Sequence, residues 1–200
     1  MLGRDLSEDE TGLFHKYLEI LLKWQKTQRL VGSGDPEWIQ RELFLGALLF
    51  ARFVPASAVR LLDFGSGAGV PGIPLKIVRR ELDVALLESR VKRVSFLRAA
   101  VRGLGLSGLC VVAERAERVE GLVGRFDVVT ARCAGGVDAV TAQAARFLAP
   151  GGSLLVSGPP EPPPRSGIQW TSTTLPGIGT RHIGIHRASA DRANDPSASH

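Results

Sequence analysis

Val59-Arg60-Leu61-Leu62-Asp63-Phe64-Gly65-Ser66-Gly67-Ala68-Gly69-Val70-Pro71-Gly72 carries an apolar run into an acidic residue and then places four glycines within eight positions. Ile73 to Arg80 follows with the texture of a helix. The stretch predicts a strand feeding a glycine-rich turn that opens a helix. Such a turn lets backbone N–H groups approach a bound ligand closely, because no side chain stands where contact occurs. Gly67-x-Gly69-x-x-Gly72 also satisfies the dinucleotide fingerprint, so the turn alone does not choose the ligand.

Downstream, strands and helices alternate. Strands are expected at 59–64, 83–88, 109–113, 126–131, 153–157, about 168–174 and 181–186, with helices near 72–80, 90–104 and 137–147. This alternation predicts an α/β fold with a doubly wound, mostly parallel seven-stranded sheet covered on both faces. No helical segment separates the last two strands. Leu175-Pro176-Gly177 supplies a turn there, which predicts an antiparallel hairpin at one sheet edge. Upstream, Ser7-Glu8-Asp9-Glu10 reads as a capping box before Leu13, Tyr17, Ile20, Leu21 and Trp24 at helical spacing. A loop through Gly32-Ser33-Gly34-Asp35-Pro36 precedes a second helix, roughly Glu37 to Phe53, which Pro55 ends. One domain is expected over 1–187, with 1–56 as a helical extension and 57–187 as the α/β core. Gly158 to Gly167 contains five prolines and cannot be helix or central strand. The polar stretch 188–200 is expected to be a disordered tail.

The 200 residues suffice for a sizeable core, and a hydrophobic share of 44% with 22% charged residues is ordinary for a soluble globular protein. The formal net charge is +5, carried by 20 Arg and 5 Lys against 20 acidic residues, a mild argument for a polyanionic partner. Cys110 and Cys133 form no CxxC, so neither a disulfide framework nor a zinc site is indicated. Cys110 lies in a strand and reads as core, and Cys133 as a small buried or half-buried thiol. His15, His182 and His186 have no ligand spacing with acidic or thiol partners, so no metal is expected. No apolar run is long enough to span a membrane, and the acidic, polar start is no signal peptide. Cytoplasm is the expected compartment, and a monomer the expected state.

Asp63 closes the first strand and Glu88 the second, 25 residues on. A carboxylate so placed reaches ribose hydroxyls of a ligand lying across the strand ends, in NAD proteins and S-adenosylmethionine (SAM) methyltransferases alike. Three further features favour SAM. Glu114-Arg115-Ala116-Glu117 follows the third strand, where methyltransferases hold adenine. Arg125-Phe126-Asp127-Val128-Val129-Thr130 announces the fourth strand with Phe-Asp. Leu148-Ala149-Pro150-Gly151-Gly152 turns into the fifth in a way common to that class. Arg132, at the C-terminal end of the fourth strand, would line the ligand crevice. Lys92, Arg93, Arg98 and Arg102 read as a solvated helix face, Trp24 as core, and Trp38 and Trp170 as rings that could stack on bases.

From about Leu13 to Arg187 the chain resembles the small-subunit ribosomal RNA methyltransferase G family, also called glucose-inhibited division protein B. The resemblance rests on Tyr17-Leu18-Glu19-Ile20-Leu21-Leu22-Lys23-Trp24-Gln25-Lys26, Asp35-Pro36-Glu37 and Gly65-Ser66-Gly67-Ala68-Gly69-Val70-Pro71-Gly72-Ile73-Pro74-Leu75. Lys92-Arg93-Val94-Ser95-Phe96-Leu97-Arg98, Arg115-Ala116-Glu117 and Ala131-Arg132 continue it. It implies SAM-dependent methylation of guanine N7 in small-subunit ribosomal RNA, as naked RNA or assembled subunit. By position, Gly65 and Val70 match the family's SAM contacts, Ala116 and Glu117 its adenine contacts, and Arg132 an arginine beside the methyl group. Asp63, Gly65, Gly67, Gly69, Val70, Glu88, Ala116, Glu117 and Arg132 are therefore the expected cofactor residues, with Arg132 also the expected catalytic one. The chain departs from the family at Arg29-Leu30-Val31, usually Asn-Leu-Thr. It departs again at Arg41-Glu42-Leu43-Phe44-Leu45-Gly46, usually Arg-His-Leu-Leu-Asp-Ser, and at Val156-Ser157-Gly158, usually Leu-Lys-Gly. Three other functions stay open from the sequence: a SAM-binding protein that has lost methyl transfer, a methyltransferase for another RNA or small molecule, and an NAD oxidoreductase.

Overall fold

Ser7 opens the first helix, α1 (Glu8–Gln25), with the reciprocal cap that its spacing predicts. Its hydroxyl accepts the Glu10 N–H at 3.2 Å, and the Glu10 carboxylate accepts the Ser7 N–H at 2.8 Å. Two donors that the helix cannot satisfy internally are thereby satisfied. Arg4 bonds the same carboxylate at 2.6 and 2.7 Å and holds it well below the usual carboxylate range, at about 2. Further on, Asp35 accepts the Glu37 and Trp38 N–H groups at 3.2 Å, and Pro36 takes a first-turn position where it has no N–H to lose. The helical segment so begun runs without interruption through α2 (Pro36–Trp38), a π-helix over Ile39–Leu45, and α3 (Gly46–Ala51).

The computed structural model describes residues 2–132, 137–159, 162, 167–175 and 178–190. Seven strands make one sheet: β1 (Arg60–Phe64), β2 (Asp83–Leu87), β3 (Leu109–Val112), β4 (Phe126–Arg132), β5 (Leu148–Ser157), β6 (Gln169–Leu175) and β7 (Gly179–Arg187). Their order is β3-β2-β1-β4-β5-β7-β6. β1 to β5 pair in parallel, whereas β7 runs antiparallel to both β5 and β6. The expected fold class and the terminal hairpin are both present. Chain direction across the sheet reverses between β1 and β4, and the crevice at such a reversal is where open α/β sheets take their ligands.

Helices α4 (Gly72–Val78) and α5 (Val91–Leu104) join α1 and the Pro36–Ala51 segment on one face, around Tyr17, Leu21, Leu61, Leu75 and Phe96. On the other, α6 (Val137–Ala145) closes over Leu62, Val129, Phe147 and Leu154. At the start of β1, the Asp127 carboxylate of β4 accepts the Val59 and Arg60 N–H groups at 2.8 and 2.9 Å.

Three expectations need correcting. The fifth strand begins at Leu148 rather than 153, because Leu148 already pairs with Phe126 of β4 before the register shifts between Phe126 and Val128. The second helix contains the π-helical stretch and stops at Ala51, because the Arg52 and Phe53 amides bond back three residues, to Leu49 and Phe50, and tighten the chain ahead of Pro55. Cys110 is exposed rather than core. β3 is an edge strand, and only two short 3-10 turns, Ala116–Arg118 and Glu120–Leu122, lie between β3 and β4 where a helix would cover that face. The described residues of Gly158 to Gly167 stand outside helix and strand. Cys133, the Pro176-Gly177 turn and residues 191–200 of the expected tail lie outside the described residues. Among the described residues, no helix is long and apolar enough to cross a membrane.

Candidate active site

The glycine turn leaves β1 at Phe64 and is fixed from beneath by two carboxylates. Ser66 donates its N–H to the Leu87 carbonyl at the end of β2 (3.0 Å) and its hydroxyl to the Asp63 carbonyl (2.8 Å). The Gly69 N–H returns to the Ser66 carbonyl at 2.7 Å, and the Ile73 N–H to that of Gly69 at 2.8 Å, which leads the chain into α4. Gly69 has φ +81°, and a Cβ there would stand 2.5 Å from Ile73 Cδ1. Gly72 is as crowded: a Cβ would meet Leu86 Cδ2 at 2.6 Å and Asp63 Oδ2 at 2.9 Å. Both glycines are needed for packing as well as for the turn.

Asp63 is almost fully buried. Its Oδ2 accepts the Gly72 N–H at 3.2 Å and its Oδ1 the Thr130 hydroxyl at 3.0 Å. Burial pushes its carboxyl up to about 6, against the opposing pull of Thr130, the Gly72 amide, Ser66 and the Arg132 guanidinium. Glu88, also buried, works at the other side of the turn. One oxygen accepts the Gly67 N–H at 3.0 Å, and the other accepts the Ser89 and Arg90 N–H groups at 2.9 Å. Arg93, in the first turn of α5, brings Nη1 to 3.7 Å from the same carboxylate.

Two cavities meet at Gly65. The smaller, about 210 Å³, lies between Gly65, Glu88, Ala116, Glu117 and Gln143. Gln143 of α6 reaches Glu117 at 3.4 Å and closes its outer side. The larger, about 360 Å³, has the turn from Gly65 to Ala68 with Val70 as one wall. The opposite wall is Leu30 to Gly32, Trp38 and Leu43 of the helical extension, and Arg93, Arg132 and Ser157 complete it. Arg132 and Ser157 also line a small hollow of about 60 Å³ beyond, together with Glu42, Arg181 and His182. Solvent reaches Arg132 from this side, yet protein crowds around its guanidinium. That burial lowers its pKa from the usual value, while Asp63 and Tyr17 act to raise it.

The structure thus gathers Gly65, Glu88, Ala116 and Glu117 about one cavity, and Gly65, Gly67, Val70 and Arg132 about the other. Asp63 and Gly69 line neither; they hold the turn in shape. Lys92, Arg98 and Arg102 are exposed on α5 as a solvated face, whereas Arg93 turns in toward Gly67. Sequence reasoning missed the wall formed by Leu30 to Gly32 and Leu43, and it missed Gln143 and Arg93. Arg93 had a legible signal, since it follows Glu88 by one strand end and one helical turn. Among the described residues, no group of His, Cys, Asp and Glu could hold a metal ion.

The pair of cavities fits a nucleoside carrying an amino-acid tail. Ligand sites of roughly 300–1,000 Å³ with a few fixed polar groups are usual for molecules of that size. A carboxylate held by three backbone amides suits ribose hydroxyls in the smaller space.

Residues 10–157 match the family described as rRNA small subunit methyltransferase G. A relative from Xanthomonas campestris pv. campestris named ribosomal RNA small subunit methyltransferase G is 36% identical over 153 residues, covering 76% of this chain and 71% of its own. One of the same name from Streptococcus thermophilus is 33% identical over 159 residues, covering 77% and 67%. Another, from Desulforamulus reducens, is 38% identical over 115 residues, and the match spans about half of that protein, 48%. Among solved structures, a SAM-dependent methyltransferase from Aquifex aeolicus superposes with a TM-score of 0.56 at 14% identity, over 83% of this chain and 98% of its own. A variant of MtNAS in complex with S-adenosylmethionine gives 0.58 at 14% identity, over 90% and 76%. These structural likenesses bear on the fold.

Proposed function

This chain belongs to the rRNA small subunit methyltransferase G family, and from that premise we propose that it transfers a methyl group from SAM to N7 of a guanine in small-subunit ribosomal RNA. The observation that carries the reading is the make-up of the larger cavity. It adjoins the braced glycine turn, and among the described residues its lining includes two arginines, a tryptophan and two serines but no His, Asp or Glu. A nucleophile there has no general base at hand. Neutral guanine N7 presents a free lone pair and needs none, because no proton is lost before or during its alkylation.

When bound, SAM supplies an electrophilic methyl on a sulfonium centre. The chain's own residues do the rest. Glu88 would accept the ribose hydroxyls, and the turn from Gly65 to Val70 would lie against the amino-acid tail. Ala116 and Glu117 would hold the adenine edge, a backbone amide and an acidic side chain in a cavity that Gln143 closes. Gly67, Gly69 and Asp63 would serve by keeping the turn in its shape. Trp38 and Leu43 would flank the acceptor base and exclude water, and Arg132 would fix its phosphate or its base edge. Catalysis of this kind is positioning of nucleophile and methyl in line, in a space closed to water. The basic surplus of the chain, +5, suits a polyanionic acceptor.

The test is methyl transfer from labelled SAM into small ribosomal subunits that lack this modification, followed by nucleoside analysis. Label is expected in 7-methylguanosine. Label in another nucleoside would overturn the N7 assignment, and no label in a preparation that binds SAM would overturn methyl transfer to this RNA.

A further inference from the structure

Tyr17 sits in the middle of α1, in the extension, and is fully buried. Its hydroxyl donates to the carbonyl of Ala68, in the glycine turn. Burial pushes its phenol well above the usual range, so it remains a donor at any ordinary pH. Its ring stacks on Phe44 of the π-helix, with centroids 5.0 Å apart and planes 18° from parallel. Phe44 in turn packs against Phe14 at 5.4 Å.

Phe44 has one neighbour whose place matters. Leu43 lines the larger cavity, opposite the turn, as does Trp38 one residue before the π-helix begins. Consecutive residues of one helix thus face two ways, Leu43 toward the acceptor space and Phe44 toward Tyr17. Successive side chains of a helix are rotated by roughly 100° about its axis in an α-helix and somewhat less in a π-helix, enough to send two neighbours to different surroundings. A continuous set of contacts therefore runs from the acceptor wall, through Phe44 and Tyr17, to the Ala68 carbonyl and the turn.

We propose that Tyr17 is a positioning residue that couples the acceptor wall to the glycine turn, so that SAM and the acceptor RNA each bind more tightly when the other is present. This rests on the cleft being the SAM site. The Tyr17 hydroxyl fixes the Ala68 carbonyl between Gly67 and Gly69, both of which have positive φ, +57° and +81°. An acceptor base pressed against Trp38 and Leu43 loads the π-helix and, through Phe44, holds Tyr17 on that carbonyl. Linkage requires the effect to be mutual in the two affinities.

Equilibrium binding tests this for the wild type, Tyr17→Phe and Phe44→Leu, each with and without saturating small subunits that lack the modification, with S-adenosylhomocysteine, which has no methyl to transfer, standing in for SAM so that nothing turns over. Tyr17→Phe keeps the stack and deletes the hydroxyl; Phe44→Leu keeps the hydroxyl and deletes the stack. The wild type is expected to bind SAM more tightly with subunits present. Tyr17→Phe is expected to weaken SAM binding about tenfold, equivalent to ~1.4 kcal/mol, in the absence of subunits, and to abolish the gain that subunits give. Phe44→Leu is expected to reduce that gain with a smaller change in SAM affinity alone. Turnover at saturating SAM and subunits should stay within about twofold of wild type in both variants, a split between KM and kcat that loss of folded protein would not give. Equal SAM affinity in wild type and Tyr17→Phe, with equal gains, overturns the coupling alone. A wild-type chain that binds no SAM overturns the reading of the cleft, and the coupling with it.

Discussion

The two walls of the larger cavity are made in opposite ways. The turn wall is one contiguous stretch, Gly65 to Val70, held by hydrogen bonds from its own amides to Glu88, Leu87 and neighbouring residues. The facing wall is assembled from side chains of separate segments, Leu30 to Gly32, Trp38 with Leu43, Arg132 and Ser157. A wall made of backbone tolerates almost no substitution at its tight glycines. A wall made of side chains can exchange residues while the scaffold stands. Of the departures from the family pattern that the chain resembles, those at Arg29-Leu30-Val31, Glu42 to Gly46 and Ser157 fall on or next to the facing wall, and none of these falls in the turn.

The largest effect should come from breaking the turn wall. Gly72→Ala forces a Cβ to within 2.6 Å of Leu86, a fully buried side chain, and 2.9 Å of the Asp63 carboxylate. We expect a loss of about 2–3 kcal/mol in urea denaturation, as for an overpacked core, and a fall in SAM affinity of about two orders of magnitude, near 2.7 kcal/mol. Gly65→Ala makes the contrast within the same turn. Nothing lies within 4 Å of its Cβ, and only φ +67° resists it, so about 1–2 kcal/mol of stability should go. Equal losses for the two would mean that packing beneath Gly72 does not fix the turn.

Asp63 sharpens the comparison through pH. Its folded-state carboxyl is raised to about 6 from an ordinary 3.8, chiefly by burial. A raised value means that its contribution is fully present below the unfolded pKa and is lost as pH rises through 6. Asp63→Asn can still accept from Gly72 and donate to Thr130, and it does not titrate. Wild-type stability relative to this variant should therefore fall by up to about 3 kcal/mol between pH ~4 and pH ~8, measured by denaturation at each pH. A flat difference would mean that the carboxylate is better solvated by its partners than its burial implies.

The same contrast governs how much could be read in the sequence. Asp63, the four glycines and Glu88 were legible because a strand, a turn and a second strand end come in fixed order along the chain. The sheet was legible for the same reason. Trp38 was legible as a ring that could stack on bases; Leu43 and Phe44 were not, because an apolar pattern at helical spacing does not say which of two neighbouring residues faces a cavity and which the core. Tyr17 read as one more apolar position of α1, although its hydroxyl crosses 51 residues of chain to reach Ala68. Cys110 read as core because a strand residue does not announce that its strand is an edge left without a helix.

On the facing wall, Trp38→Ala should raise the KM for unmodified small subunits about tenfold, as loss of a base-stacking surface does, with SAM affinity within about twofold of wild type. An equal loss in both affinities would assign Trp38 to the scaffold, where its ring already rests 3.4 Å from the Cβ position of Gly32. The smallest effect belongs to Glu42, which ties this wall to the terminal hairpin. Its carboxylate bonds Arg181 of β7 at 2.5 Å and Arg41 at 3.3 Å, and all three side chains keep contact with solvent. Ion pairs of that exposure contribute up to about 1 kcal/mol, so Glu42→Gln should shift a urea midpoint only slightly. The pair borders the hollow behind Arg132, however, and Glu42 is one of the charges acting on that guanidinium. Unchanged kinetics in Glu42→Gln would make the pair a strap between extension and hairpin. A several-fold rise in the KM for subunits at unchanged stability would place it on the path by which the acceptor reaches Arg132, and the substitution of this family position by glutamate would then be a change in acceptor handling.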